Sequence, residues 1–99
     1  MRVVWSPLAR DQAAQAVALI AAERPAAASA WLDAIVGKAG SLALFPDMGR
    51  MVPELQRPTI REVLIAPYWI IYRRDETEVI ILAVHHARRQ LDESGLRPG

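Results

Sequence analysis

The chain has 99 residues, 53% of them hydrophobic and 23% charged, with twelve basic and eleven acidic side chains and a net charge of +1. That length holds one domain and one core, and the apolar fraction excludes a disordered chain. The absence of cysteine excludes a disulfide framework and a thiolate metal site, and the near-neutral balance excludes nucleic-acid binding by charge alone.

The chain opens on "MRVVWSPLARDQ". Pro7, Arg10 and Asp11 interrupt any apolar run there, so the segment is not a signal peptide. No window is long and apolar enough to span a bilayer, and a cytoplasmic protein with no membrane contact is expected. "RVVW" (2–5) reads as a short strand. Ser6 is a good N-cap and Pro7 suits a first helical position. Ala9, Ala13, Val17 and Ile20 then recur at helical spacing and predict an amphipathic helix over 7–24. Pro25 ends it, because the residue before a proline is pushed out of the helical region. A second helix over 26–45 places Ala28, Trp31, Ile35, Leu42 and Phe45 on roughly one stripe. Gly37 and Gly40 weaken it by about 1 kcal/mol each relative to Ala, and they allow a close approach to the first helix. Two helices joined so briefly should form an antiparallel hairpin.

"FPDMGRMVPELQRPT" (45–59) holds three prolines and a glycine and reads as an irregular connection of the length often used for function. Arg50, following its glycine turn, suits a structural tie to a carboxylate. Three strands follow, "TIREVLI" (59–65), "YWIIYRR" (68–74) and "VIILAVHH" (79–86), linked by the short turns "AP" and "DETE". Short links imply an antiparallel meander. The nearly continuous apolar run of 79–86 marks a central strand, and 2–5 should pair at an edge. The expected fold is α+β, in the order β-α-α-β-β-β, with a helical hairpin packed on one face of an antiparallel sheet.

The last strand ends in "HHARR", which contains both histidines of the chain. Successive strand residues point to opposite faces, so His85 and His86 cannot line one site. Metal binding by the pair is therefore disfavoured, and neither metal nor cofactor is expected. One histidine can line a groove with Arg88 or Arg89. The plainer alternative is a hydrogen-bonded rim histidine beside solvated arginines. Arg61 shares a face with Val63 and Ile65, while Glu62 points the other way. They are either surface charges or, in a functional arrangement, Arg61 stands across the sheet from the 85–89 segment. Trp5, Trp31 and Trp69 read as core anchors, Trp69 least firmly. No Ser–His–Asp arrangement, phosphate loop or nucleotide fingerprint is present.

Five pieces in order, "VVWSPLARDQ", "AAASAWLDAI", "LFPDMGRMVPEL", "TIREVLIAPYWIIYRR" and "VIILAVHHARRQL", resemble the RelE/ParE family of toxins from bacterial type II toxin–antitoxin modules over residues 2–91. The P-x-x-G-R turn, the R-E strand, the Y-x-I-I-Y-R strand and the final V-x-H-x-x-R carry the likeness. It implies the fold just derived, with one toxin domain over 1–99. It also implies one of two targets. RelE-like members are ribosome-dependent mRNA endonucleases, which need a cationic phosphate pocket and acid–base groups. ParE-like members lack that set and poison DNA gyrase.

The nuclease pattern usually carries Arg directly after the first tyrosine of its third-strand motif, where this chain has Trp69. Of a basic pair often found on the preceding strand, Ile60 and Glu62 occupy the two places and leave only Arg61. The expectation is therefore a ParE-like gyrase inhibitor, with the RelE-like endonuclease as the alternative. Catalytic residues under that alternative are His86, Arg89 and Arg61. Target contacts are assigned to Arg61, Trp69, Arg73, His85, Arg88 and Arg89. The resemblance also implies a cognate antitoxin, ParD- or RelB-like. Leu19, Leu32 and Val36, partly off the core stripes, are expected to form one apolar groove for it, with Arg61 and Arg74 receiving an acidic segment.

Overall fold

In the computed structural model, which describes residues 1–88, 91–92 and 97–98, a helical hairpin packs on a five-stranded sheet. Strand β1 spans Arg2–Trp5, helix α1 Pro7–Glu23 and helix α2 Pro25–Leu44. Then come β2 (Arg50–Met51), β3 (Ile60–Ile65), β4 (Tyr68–Arg74) and β5 (Glu78–His86), followed by a small antiparallel pair, β6 (Leu91–Asp92) and β7 (Arg97–Pro98). The order in the main sheet is β1-β5-β4-β3-β2.

Local chemistry fixes the elements. Ser6 caps α1, its Oγ accepting from the Ala9 N–H at 3.0 Å. The same hydroxyl donates to the Leu82 carbonyl at 3.1 Å, so the cap also ties the helix to β5. Arg24 is extended (φ −146°), and Pro25 starts α2 directly after it, which makes the hairpin link a single residue. Asp75 turns β4 into β5 by accepting from the backbone N–H groups of Thr77 and Glu78 at 2.7 and 2.8 Å. These bonds hold its carboxyl below the usual value of 3.8.

The core between helices and sheet gathers Ala9, Ala16, Trp31, Ile35 and Leu42 against Val63, Ile70, Tyr72, Ile81 and Val84. The indole of Trp31 donates to the Ile65 carbonyl at 2.9 Å and meets Tyr68 edge-on. On the other face Val52 and Leu55 cover Ile60, Ile71 and Ala83. The central strand β5 is thus buried on both faces, as its apolar run requires.

Four expectations change. The meander is antiparallel, but β1 runs parallel to β5, so the sheet is mixed. Short links fix the direction of β3, β4 and β5, whereas β1 is joined through two helices and its direction is free until they pack. The 45–59 connection contains β2, which pairs with β3 through Arg50↔Glu62 and Met51↔Arg61. Phe45 lies past the end of α2 and is exposed instead of packed. Gly37 and Gly40 face open space, with nothing within 4 Å of a Cβ placed there, so they serve no close approach to α1.

Candidate functional site

The expected target-contact and catalytic residues among the described residues fall in three places. The first is the sheet face turned away from the helices. There Leu64, Trp69 and His85 form one cross-strand row, and Glu62, Ile71 and Ala83 the next. Glu62 is 4% exposed, deep for a carboxylate. Arg50 reaches it from β2, with Nε at 2.7 Å and Nη2 at 2.6 Å from the same Oε2. The same guanidinium lies 4.3 Å from the centre of the Trp69 ring. Arg50 is therefore the expected tie between loop and carboxylate, and Trp69 is its stacking platform. Burial pushes the Glu62 carboxyl above its ordinary value of 4.5, and Arg50 opposes that shift. His85 is buried two strands away on this face, and Arg73 is exposed farther along β4.

The second place is the end of the sheet beside the turn after α2. Arg61 donates through Nη1 to the Gly49 carbonyl at 2.8 Å. Its Nε and that of Arg74 stand 3.6 and 3.5 Å from Oδ1 of Asp47. The Tyr72 hydroxyl donates to the Pro46 carbonyl at 2.7 Å and accepts from the Gly49 N–H at 3.0 Å. Burial raises the Tyr72 phenol above its usual 10.0, so it keeps the proton it donates. A Cβ at Gly49 would stand 2.7 Å from both the Glu62 carbonyl oxygen and the Tyr72 hydroxyl oxygen, which is why this turn needs glycine.

The third place is a depression of about 230 Å³ between α1 and β4–β5, lined by Gln12, Gln15, Leu19, Tyr68 and His86 among others. The His86 ring meets Tyr68 edge-on at 5.1 Å, and its Nδ1 accepts from the Arg88 N–H at 3.1 Å. A neutral His86 therefore carries its proton on Nε2. Gln12 is fixed by accepting from the Val84 N–H at 2.8 Å.

The structure does not bring Arg61 to the histidines. Arg61 is in register with Tyr72 and Ile81, while Ile65, Tyr68 and His86 form another row. The rows are four residues apart along β3, about 13 Å at ~3.3 Å per residue. The placement of Arg61 across from the 85–89 segment is thus corrected, and so is the joint site of His86 with Arg61. Arg89 lies outside the described residues. The single apolar groove is also corrected. Leu19 lines the His86 depression, whereas Leu32 lines another, of about 430 Å³, with Trp5, Arg10, Ala13, Ala14 and Val17. The two share no residue, because Leu19 and Val17 emerge on different sides of α1. Val36 is exposed on α2 and lines neither. Sequence reading missed the Asp47–Arg61–Arg74 group and the burial of Glu62. A carboxylate inside an otherwise apolar strand, with an arginine after the glycine turn, was the available signal. Among the described residues no group of three or more His, Asp or Glu is disposed to hold a metal, and no helix is long and apolar enough to cross a membrane.

The family model described as "ParE toxin of type II toxin-antitoxin system, parDE" matches residues 3–91. A solved chain of the "Chromosomal ParDE TA system from P. aeruginosa" is similar in fold, with a TM-score of 0.73 at 19% identity over 89% of this chain and 97% of that one. No curated protein matches the sequence.

Proposed function

The chain belongs to the ParE toxin family of type II toxin–antitoxin systems, and on that premise we propose that it arrests growth in the cytoplasm by inhibiting DNA gyrase and is held inactive by a cognate antitoxin. The observation that supports this target over the ribosome is the separation of Arg61 from His86 by four residues of strand. An mRNA endonuclease must hold the scissile phosphate with a cation while an acid–base group moves the proton, and both must touch the reacting atoms. Here Arg61 is committed to the Gly49 carbonyl and Asp47, at the other end of the sheet from His86. At the position where the nuclease pattern has Arg, Trp69 lies under the Arg50 guanidinium.

The antitoxin is a ParD- or RelB-like protein, disordered in part when free, that lays apolar side chains along the flanks of α1. Leu19 and Leu32 anchor it in separate depressions, and the exposed Val36 extends the second flank. The test is direct. Purified chain should inhibit supercoiling and leave cleaved DNA trapped on gyrase, and the cognate antitoxin should reverse both effects. A-site cleavage of mRNA on programmed ribosomes, with gyrase untouched, would reverse the assignment in favour of the endonuclease.

A further inference from the structure

The backbone sets the chemistry of the depression beside His86. β1 ends opposite Ile81, and from there side chains at the start of α1 satisfy the β5 backbone. Ser6 donates to the Leu82 carbonyl, and Gln12 accepts from the Val84 N–H at 2.8 Å. An N–H can only donate, so the Gln12 oxygen is taken and its amide NH2 is left over. The same logic holds for His86. Its Nδ1 accepts from the Arg88 N–H, which leaves the proton of the neutral ring on Nε2.

Gln12, His86 and Tyr68 line one depression of about 230 Å³, together with Leu19, which is 65% exposed. Among the described residues, the Gln12 NH2, the His86 Nε2 and the Tyr68 hydroxyl have no hydrogen-bond partner. Side chains from α1, β4 and β5 thus bring donors to one place, and backbone N–H groups hold two of them in that role. No Asp, Glu, Lys or Arg among the described residues lines the depression.

Such a site takes an acceptor. A carboxylate offers two oxygens and about four lone-pair sites, and it gains most from donors that are already fixed. A phosphate fits less well, because its charge calls for cations and none of the described ones lines the depression. A free carboxylate would leave Leu19 uncovered, whereas one carried on a peptide covers it with the next apolar side chain of the same segment. We propose that the antitoxin inserts an Asp or Glu carboxylate here, which accepts from Gln12, His86 and Tyr68 while a neighbouring apolar side chain of the antitoxin covers Leu19. The proposal rests on the assignment of the antitoxin to the flanks of α1, and it adds the chemistry that the antitoxin must present.

The experiment measures the affinity of the full chain for its full-length cognate antitoxin by calorimetry, with thermal melts to show that each variant folds. Gln12→Glu keeps an oxygen for the Val84 N–H but replaces the free donor with a negative acceptor. Antitoxin affinity should fall at least about ten-fold. Ala18→Glu adds the same charge at an exposed position of α1 that lines none of the three depressions. It should change affinity by less than about two-fold. Tyr68→Phe removes one donor, keeps the ring against Trp31, and should weaken binding by about three- to ten-fold. Asp→Asn and Glu→Gln changes through the antitoxin should find one carboxylate whose loss is not additive with Tyr68→Phe. Unchanged or tighter binding by Gln12→Glu overturns the proposal, and so does an equal loss in Ala18→Glu. Antitoxin carboxylates that all add with Tyr68→Phe overturn it too. If Gln12→Glu does not fold, Tyr68→Phe decides, and full affinity there overturns the proposal. If Leu19→Asp weakens binding while Gln12→Glu and Tyr68→Phe do not, the flank stands and the carboxylate fails. If Leu19→Asp also binds fully, the assignment of the antitoxin to this flank fails with it.

Discussion

The Arg50 guanidinium lies 4.3 Å from the centre of the Trp69 ring while its Nε donates to Glu62 at 2.7 Å. Three strands meet in that contact, β2, β3 and β4. Arg50→Ala should lower stability by about 1–3 kcal/mol, less than for a fully buried pair because the arginine is half exposed. Arg50→Lys keeps the charge but loses the planar fork and the stacking, and should cost about 0.5–1 kcal/mol. Urea denaturation of the two variants checks the order. Equal losses would show that the planar fork and the stacking, not the charge, carry the contribution.

Glu62 makes stability depend on pH in a stated direction. Burial raises its folded-state value above the ordinary 4.5. Between those two values the folded chain binds more protons than the unfolded chain. The contribution of Glu62 is therefore fully present below 4.5 and is lost as pH rises through the folded value. The stability difference between wild type and Glu62→Gln should fall as pH is raised from 4 toward neutrality. A difference that instead grows with pH would mean that Arg50 dominates over burial.

The glycines separate into two kinds. Gly49→Ala forces a Cβ to 2.7 Å from a backbone oxygen and should destabilise the chain by about 1–3 kcal/mol. Gly37→Ala and Gly40→Ala meet open space inside a helix and should each stabilise it by about 0.5–1 kcal/mol. Thermal melts of the three variants give opposite signs if this reading holds.

His86→Ala distinguishes binding from catalysis. A gyrase inhibitor loses no chemical step, so growth arrest should persist with at most a modest change in potency. An endonuclease that uses His86 as acid or base would lose about 10²–10⁴ in rate. Dose–response of arrest against folded protein decides between them.

The antitoxin should respond to the two flanks of α1 independently. Leu19→Asp and Leu32→Asp sit in depressions with no common residue. Their losses of antitoxin affinity should add to within about 0.5 kcal/mol in the double variant. Strong non-additivity would mean that the two flanks are felt as one surface.

Local order was legible without a structure. Ser6 and Pro7 mark the start of α1, Pro25 marks the hairpin, and the apolar run of 79–86 marks a strand covered on both faces, because each signal acts within a turn of chain or along one strand. The structural role of Arg50 was legible for the same reason, as an arginine fixed by the glycine before it. What the sequence left open depends on groups brought together across the fold. The direction of β1 follows from how two helices pack. Register across three strands puts Arg61 beside Tyr72 and Ile81 but puts His86 beside Tyr68. Helical phase sets Leu19 and Leu32 in different depressions, and Phe45 is exposed because α2 ends one residue before it. Alternation along a strand gives the face of a residue, but only pairing gives its neighbours. The family follows from the order of short motifs, whereas the assembly of a site depends on pairings that those motifs do not encode.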